Sequence, residues 1–156
     1  MLFNEDTYRF MFEALKLAEI AGEEDEVPIG AVVVKDNRII GRGYNQVEKL
    51  KDSTAHAEII AITAATNSLG DKSLVDCDLY VTVEPCLMCT GAILLSKIKN
   101  LYFATFEPKT GACGSVYNIL EDKKLNHDVV VYSGIYEQEA KEIMQDFFIK
   151  KRLLKK

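Results

Sequence analysis

The sequence predicts a three-layer α/β/α domain built on a mixed five-stranded sheet. Three observations predict it. Stretches with helical apolar spacing alternate with short β-branched runs, two neighbouring runs are joined by a turn signal, and no apolar run approaches the ~20 residues that cross a membrane. Residues 5–21 place Tyr8, Met11, Phe12, Leu15 and Ala18 at helical spacing, with Gly22 as the stop. Residues 29–34 and 39–44 read as strands of a hairpin turning at Asp36-Asn37. Thr54 reads as the N-cap of a helix that runs to Leu69 and ends at Gly70. Residues 79–83 form a strand, and Pro85 suits the first position of a helix reaching Ser96. A strand at 101–106, a glycine-containing loop at 107–115 and a strand at 129–132 follow. The last helix starts near Glu137 and turns Ala140, Ile143, Met144, Phe147 and Phe148 inward. Alternation of strands and helices implies a mainly parallel sheet, with the opening hairpin as its one antiparallel pair.

A chain of 156 residues, 48% hydrophobic and 28% charged, fits one domain over 1–156 with a sizeable core. The N-terminus lacks a basic stretch followed by an apolar one, so cytoplasmic residence is the expectation. In that compartment the four cysteines, Cys77, Cys86, Cys89 and Cys113, point to metal or catalysis before disulfides. A net charge of −5 argues against broad nucleic-acid binding, although residues 150–156 carry five positive charges and no negative ones.

The chemistry concentrates in His56-Ala57-Glu58 and Pro85-Cys86-Leu87-Met88-Cys89, each at an expected helix start. Cys86 and Cys89 are three apart and share a helical face. The positive end of a helix dipole favours the thiolate that zinc requires. With a nitrogen from His56, three protein ligands leave one zinc per chain with an open fourth position, as in a catalytic site. Glu58 is the carboxylate beside it, suited to take a proton and return it to a leaving group. Residues two apart on a regular helix point about 200° apart, so His56 and Glu58 converge only if His56 lies at or before the first turn. The pattern His-x-Glu followed by Pro-Cys-x-x-Cys matches the signature of zinc-dependent nucleobase deaminases, in which the Glu is not a ligand.

Beyond that motif the chain resembles the bacterial tRNA-specific adenosine deaminases, which convert the wobble adenosine of an anticodon to inosine. The resemblance covers nearly the whole chain. It runs through Glu26-Val27-Pro28-Ile29-Gly30, Gly43-Tyr44-Asn45, Thr54-Ala55-His56-Ala57-Glu58-Ile59, Val83-Glu84-Pro85-Cys86-Leu87-Met88-Cys89, Lys109-Thr110-Gly111-Ala112-Cys113-Gly114-Ser115, Asn126-His127 and Asp146-Phe147-Phe148. It implies zinc on His56, Cys86 and Cys89, a proton shuttle at Glu58, and contacts to a flipped nucleoside from Asn45 and the Ala57 backbone. It also implies Phe148 near the substrate, a homodimer, and a tRNA anticodon stem-loop as partner. Lys109 and the basic C-terminus are the expected local positive surface for that RNA. Glu107 stands where the family usually has an aspartate, and Phe106 replaces a commonly basic residue.

Other residues have plainer readings. Cys77 and Cys113 suit small buried positions, His127 a loop, and Glu23-Glu24-Asp25-Glu26 a solvated turn. Two rival functions remain: a deaminase of a free nucleobase or nucleotide such as guanine or cytosine, and a silent zinc subunit that helps a partner bind tRNA. The Lys109-Thr110-Gly111 loop argues against the first, and Glu58 against the second.

Overall fold

The computed structural model describes residues 3–125 and 127–155. Asn126 and Lys156, both singled out above, lie outside the described residues. Helix α1, Glu5–Glu23, begins where Asn4 accepts the Thr7 N–H at 2.9 Å. Strands β1, Gly30–Lys35, and β2, Arg38–Tyr44, form the expected hairpin. Its turn residues Asp36 and Asn37 both take left-handed backbone, φ 51° and 62°, which matches the right-handed twist of the strands. A one-turn helix α2, Val47–Leu50, was not anticipated. Helix α3, Ala57–Leu69, strand β3, Asp78–Val83, helix α4, Leu87–Leu95, strand β4, Asn100–Thr105, strand β5, Val130–Ser133, and helix α5, Glu137–Leu154, complete the order.

The sheet order is β2-β1-β3-β4-β5. Strand β1 is antiparallel to both β2 and β3, while β3-β4 and β4-β5 are parallel. Two pairs are therefore antiparallel rather than the one expected. The reason is α3, whose length carries the chain past β1 so that β3 joins on its far side. Alternate residues of β1 enter opposite cores. Ala31 and Val33 pack with Ala57, Ala61 and Ile93 from α3 and α4, whereas Val32 and Val34 pack with Phe10, Met11 and Ala14 from α1 and with Ala140 from α5. The result is the predicted α/β/α layering. On the second face Tyr80, Tyr102 and Tyr132 stack across three neighbouring strands at centroid spacings of 4.4 and 4.8 Å.

Helix α3 lies close on β2 because Gly43 has no side chain: a Cβ there would overlap the Ala57 carbonyl oxygen. Helices α3 and α4 follow parallel strands, so both N-termini open at the same end of the sheet. Four expectations need correction. Thr54 does not cap α3, because its N–H and hydroxyl both bond to Asp52, at 2.8 and 2.7 Å, and His56 takes the cap position. Pro85 lies before α4 rather than at its first position, because Cys86 is held extended in a bridge to Gly111 and is itself the N-cap. Phe148 is 42% exposed and Phe147 half-buried, since beyond Ala140 the helix α5 runs out along the surface. Glu26 is 1% exposed and accepts the N–H groups of Glu48 and Lys49 at 2.9 and 2.8 Å, so this end of the acidic turn anchors α2 instead of facing solvent.

Candidate active site

His56 sits at the N-cap of α3 with extended backbone, φ −78° and ψ 153°, one residue before helical geometry begins. That placement removes the 200° divergence and lets His56 and Glu58 face the same site. Cys86 is the corresponding N-cap of α4, at φ −76° and ψ 178°, and Cys89 follows within the first turn. The Nδ1 atom of His56 lies 3.6 Å from the Sγ of Cys86 and 3.6 Å from that of Cys89. Tetrahedral zinc with bonds of ~2.0 Å to nitrogen and ~2.3 Å to sulfur sets such pairs roughly 3.5 Å apart. The donor set and its spacing therefore suit that ion. Among the described residues, this is the one group of three such side chains whose ligand atoms all lie within 4.8 Å of one another. Cys77 is buried elsewhere, and Cys113, buried next to the site, meets the Thr90 hydroxyl at 3.3 Å but does not join the group of three.

The electrostatics follow from burial and mutual bonding. Hydrogen bonding from the Cys89 thiol, joined by His56, draws the Cys86 thiol down to about 4 against the opposing effect of burial. The same Cys86 contact, with burial, pushes Cys89 upward, and Cys86 also raises His56. Burial pushes the Glu58 carboxyl up to about 7, so it can carry or release a proton near neutrality. Two helix N-termini converge here, and their unpaired N–H groups add positive potential.

The residues expected to contact a substrate divide into two groups. Asn45, buried just after β2, lines a cavity of about 890 Å³ with Phe147, Phe148 and Lys151 from α5 and Lys155 at its C-cap. Ala57, the first residue of α3, has a fully buried side chain; its N–H is among those a helix start leaves unpaired. Lys109 does not line that cavity. It is exposed, its N–H bonds to Glu107 at 3.0 Å, and its loop reaches the site through the Cys86–Gly111 bridge and an Ala112 N–H to Pro85 carbonyl bond of 2.9 Å. Lys151 pairs with Asp25 at 2.6 Å and sits over the Phe147 ring, so part of the basic C-terminus is already neutralised. His127 is a loop residue, bonded through Nε2 to the Ile98 carbonyl at 2.5 Å.

Sequence reasoning missed two buried carboxylates, reading Glu26 as part of a solvated turn and giving Glu84 no role. Both lie inside motifs quoted for the resemblance, but neither has a spacing that signals a role. An acidic side chain next to a buried strand end was the available clue, because such a group needs partners.

The chain matches the model of the MafB19-like deaminase family over residues 5–152. It is 48% identical over 144 residues to a tRNA-specific adenosine deaminase of Agrobacterium fabrum, covering 92% of this chain and 95% of that one. The corresponding Bacillus subtilis enzyme is 43% identical over 147 residues, covering 94% and 91%. A structure from a study of A-to-I editing by tRNA:A34 deaminases at the wobble position of transfer RNA superposes with a TM-score of 0.84 at 47% identity, over 86% of this chain and 98% of that one. A guanine deaminase from Bacillus subtilis superposes with a TM-score of 0.62 at 36% identity, over 80% and 78%. Agreement over nearly the full length, in sequence and in backbone, means that the chain belongs to the MafB19-like deaminase family and, within it, to the tRNA-specific adenosine deaminases.

Proposed function

We propose that this protein hydrolyses adenosine to inosine at the wobble position of a tRNA anticodon, with one zinc held by His56, Cys86 and Cys89. The observation that carries the reading is the His56 nitrogen at 3.6 Å from both sulfurs, with the Glu58 carboxyl buried beside it. Zinc, when bound, lowers the pKa of its water to ~7 and so supplies the nucleophile. Glu58 would accept one proton and deliver it to the purine ring nitrogen as oxygen adds at C6, then take the second proton from the new C6 hydroxyl and hand it to the amino group, so that the C6–N bond breaks and ammonia leaves. Overall, adenosine and water give inosine and ammonia. Asn45 and the Ala57 N–H orient the base, and the burial of Glu58 means that the base has to be flipped out of its stack to reach it. Phe148 offers a ring for stacking, and Lys109 and Lys155 offer charge for phosphates.

The substrate assignment draws on the tRNA-acting relatives. The likeness to a guanine deaminase keeps the free-nucleobase reading as the alternative. Incubating the protein with an anticodon stem-loop and, separately, with guanine and cytosine distinguishes the two. Inosine formed in the stem-loop is the expected result; ammonia released from a free base alone overturns it. A tRNA substrate puts the reaction in the cytoplasm, and no described helix is long and apolar enough to cross a membrane.

The partner reading includes a second copy of the chain. Ile59 and Ile62 of α3 with Leu94 and Leu95 of α4 line an open groove of about 850 Å³, and Leu95 is 83% exposed. Apolar surface of this kind is costly to leave in water. Light scattering should give twice the chain mass at micromolar concentration, and Leu95→Asp should shift it toward the monomer. A monomeric parent protein would refute the dimer.

A further inference from the structure

Glu84 lies between the end of β3 and Pro85 and takes no part in the chemistry above. Its side chain is 4% exposed, and a buried carboxylate is costly unless its oxygens are bonded. Here both are. Oε1 accepts the Glu107 N–H at 3.0 Å and the Ser115 hydroxyl, while Oε2 accepts the N–H groups of Cys113 and Ser115 at 3.0 Å each. The donors come from both ends of the 107–115 loop, so a single side chain closes the loop on itself. The middle of the loop is shaped to the same group, because a Cβ on Gly111 would overlap the Glu84 carboxylate. Gly111 bridges to Cys86, and Ala112 bonds to the Pro85 carbonyl. The loop is therefore seated on the segment that carries two of the metal-binding thiols.

We propose that Glu84 is a positioning residue that holds the 107–115 loop in place and so fixes Lys109 beside the segment that carries Cys86. The meaning given to Lys109 rests on the tRNA reading; the loop anchor itself does not. Glu84→Gln keeps the shape but puts an NH2 group where an oxygen accepts, so at least one backbone N–H, that of Glu107 when the Ser115 hydroxyl turns to accept, faces a donor. Ser115→Ala removes the hydroxyl contact alone and is the milder variant.

The test uses the zinc-loaded protein and two readouts. Trypsin cleavage after Lys109, followed by mass spectrometry, reports opening of the loop. In Glu84→Gln that cleavage should accelerate about tenfold or more with zinc content unchanged, since local opening and not global unfolding limits it. On the stem-loop, KM should rise about tenfold while the saturating single-turnover rate stays within about twofold, the pattern of lost binding with intact chemistry. Ser115→Ala should move both readouts the same way by less. If Glu84→Gln fails to fold, Gly111→Ala takes its place, because the added methyl must displace the carboxylate. Unchanged cleavage in the folded variants overturns the proposal, as does loss of zinc with KM unaltered. Faster cleavage in a protein inactive on tRNA supports the anchor and overturns the substrate reading instead.

Discussion

The floor of the site and its rim are built in opposite ways. On the floor, His56 and Cys86 are both helix N-caps with extended backbone, and Glu58 and Cys89 lie in the first turns behind them. Helix-start geometry aims each of these side chains, and the packing of α3 and α4 on one face of the sheet brings the four together across 30 residues of sequence. On the rim, position depends on distant partners. Glu84 holds Glu107, Cys113 and Ser115, Glu26 holds Glu48 and Lys49, and Asp25 holds Lys151. The floor is thus rigid by secondary structure, while the rim is rigid only as far as its hydrogen bonds are intact. A substitution on the floor should therefore abolish a function, and one on the rim should grade it.

The most severe test removes a floor ligand. Cys86→Ala should lose most of its zinc by metal analysis and all measurable deamination, because two donors do not hold the ion in place. Full zinc retention would break the assignment. Next in size, Glu58→Ala should keep its zinc but slow single-turnover deamination by at least ~10²-fold, as expected for a lost proton shuttle. Zinc loss equal to that of Cys86→Ala would make Glu58 a ligand and erase the division of roles on the floor.

The rim should respond more gently and in proportion to free charge. Lys109→Ala should raise KM for the stem-loop and flatten the dependence of log KM on log salt by about 0.7 if one phosphate contact is lost. Lys151→Ala should do less, because its charge is already shared with Asp25 at 2.6 Å. Kinetics at several salt concentrations compare the two. A larger effect at Lys151 would mean that the Asp25 pair opens on binding, and that this part of the rim is less fixed than its hydrogen bonds indicate.

Legibility in the sequence follows the same division. Period and punctuation were sufficient for the layers and all five strands, and the motif was sufficient to bring His56, Glu58, Cys86 and Cys89 together, since they lie at helix starts that local signals mark. Strand direction at β1-β3 was not legible, because the hairpin reveals its own pairing but not the side on which a later strand will join. The exposure of Phe148 was missed for a related reason: apolar spacing shows which residues share a face, not how far the covering layer extends. Glu26 was misread as solvated because charge is a poor guide to burial where backbone N–H groups from a distant segment supply the partners.

The close seat of α3 on β2 has a consequence for how variants of this protein would sort in a genetic screen. Gly43 touches no reacting atom, yet any side chain there must push away the carbonyl of Ala57, the residue next to His56. Helix α3 would shift, and the histidine would shift with it relative to the two cysteines on α4. A loss-of-function screen would therefore score Gly43 alongside His56, Cys86 and Cys89, and, if these hold zinc as proposed, its alleles would be partly suppressed by raising zinc in the growth medium, whereas alleles of Glu58 would not.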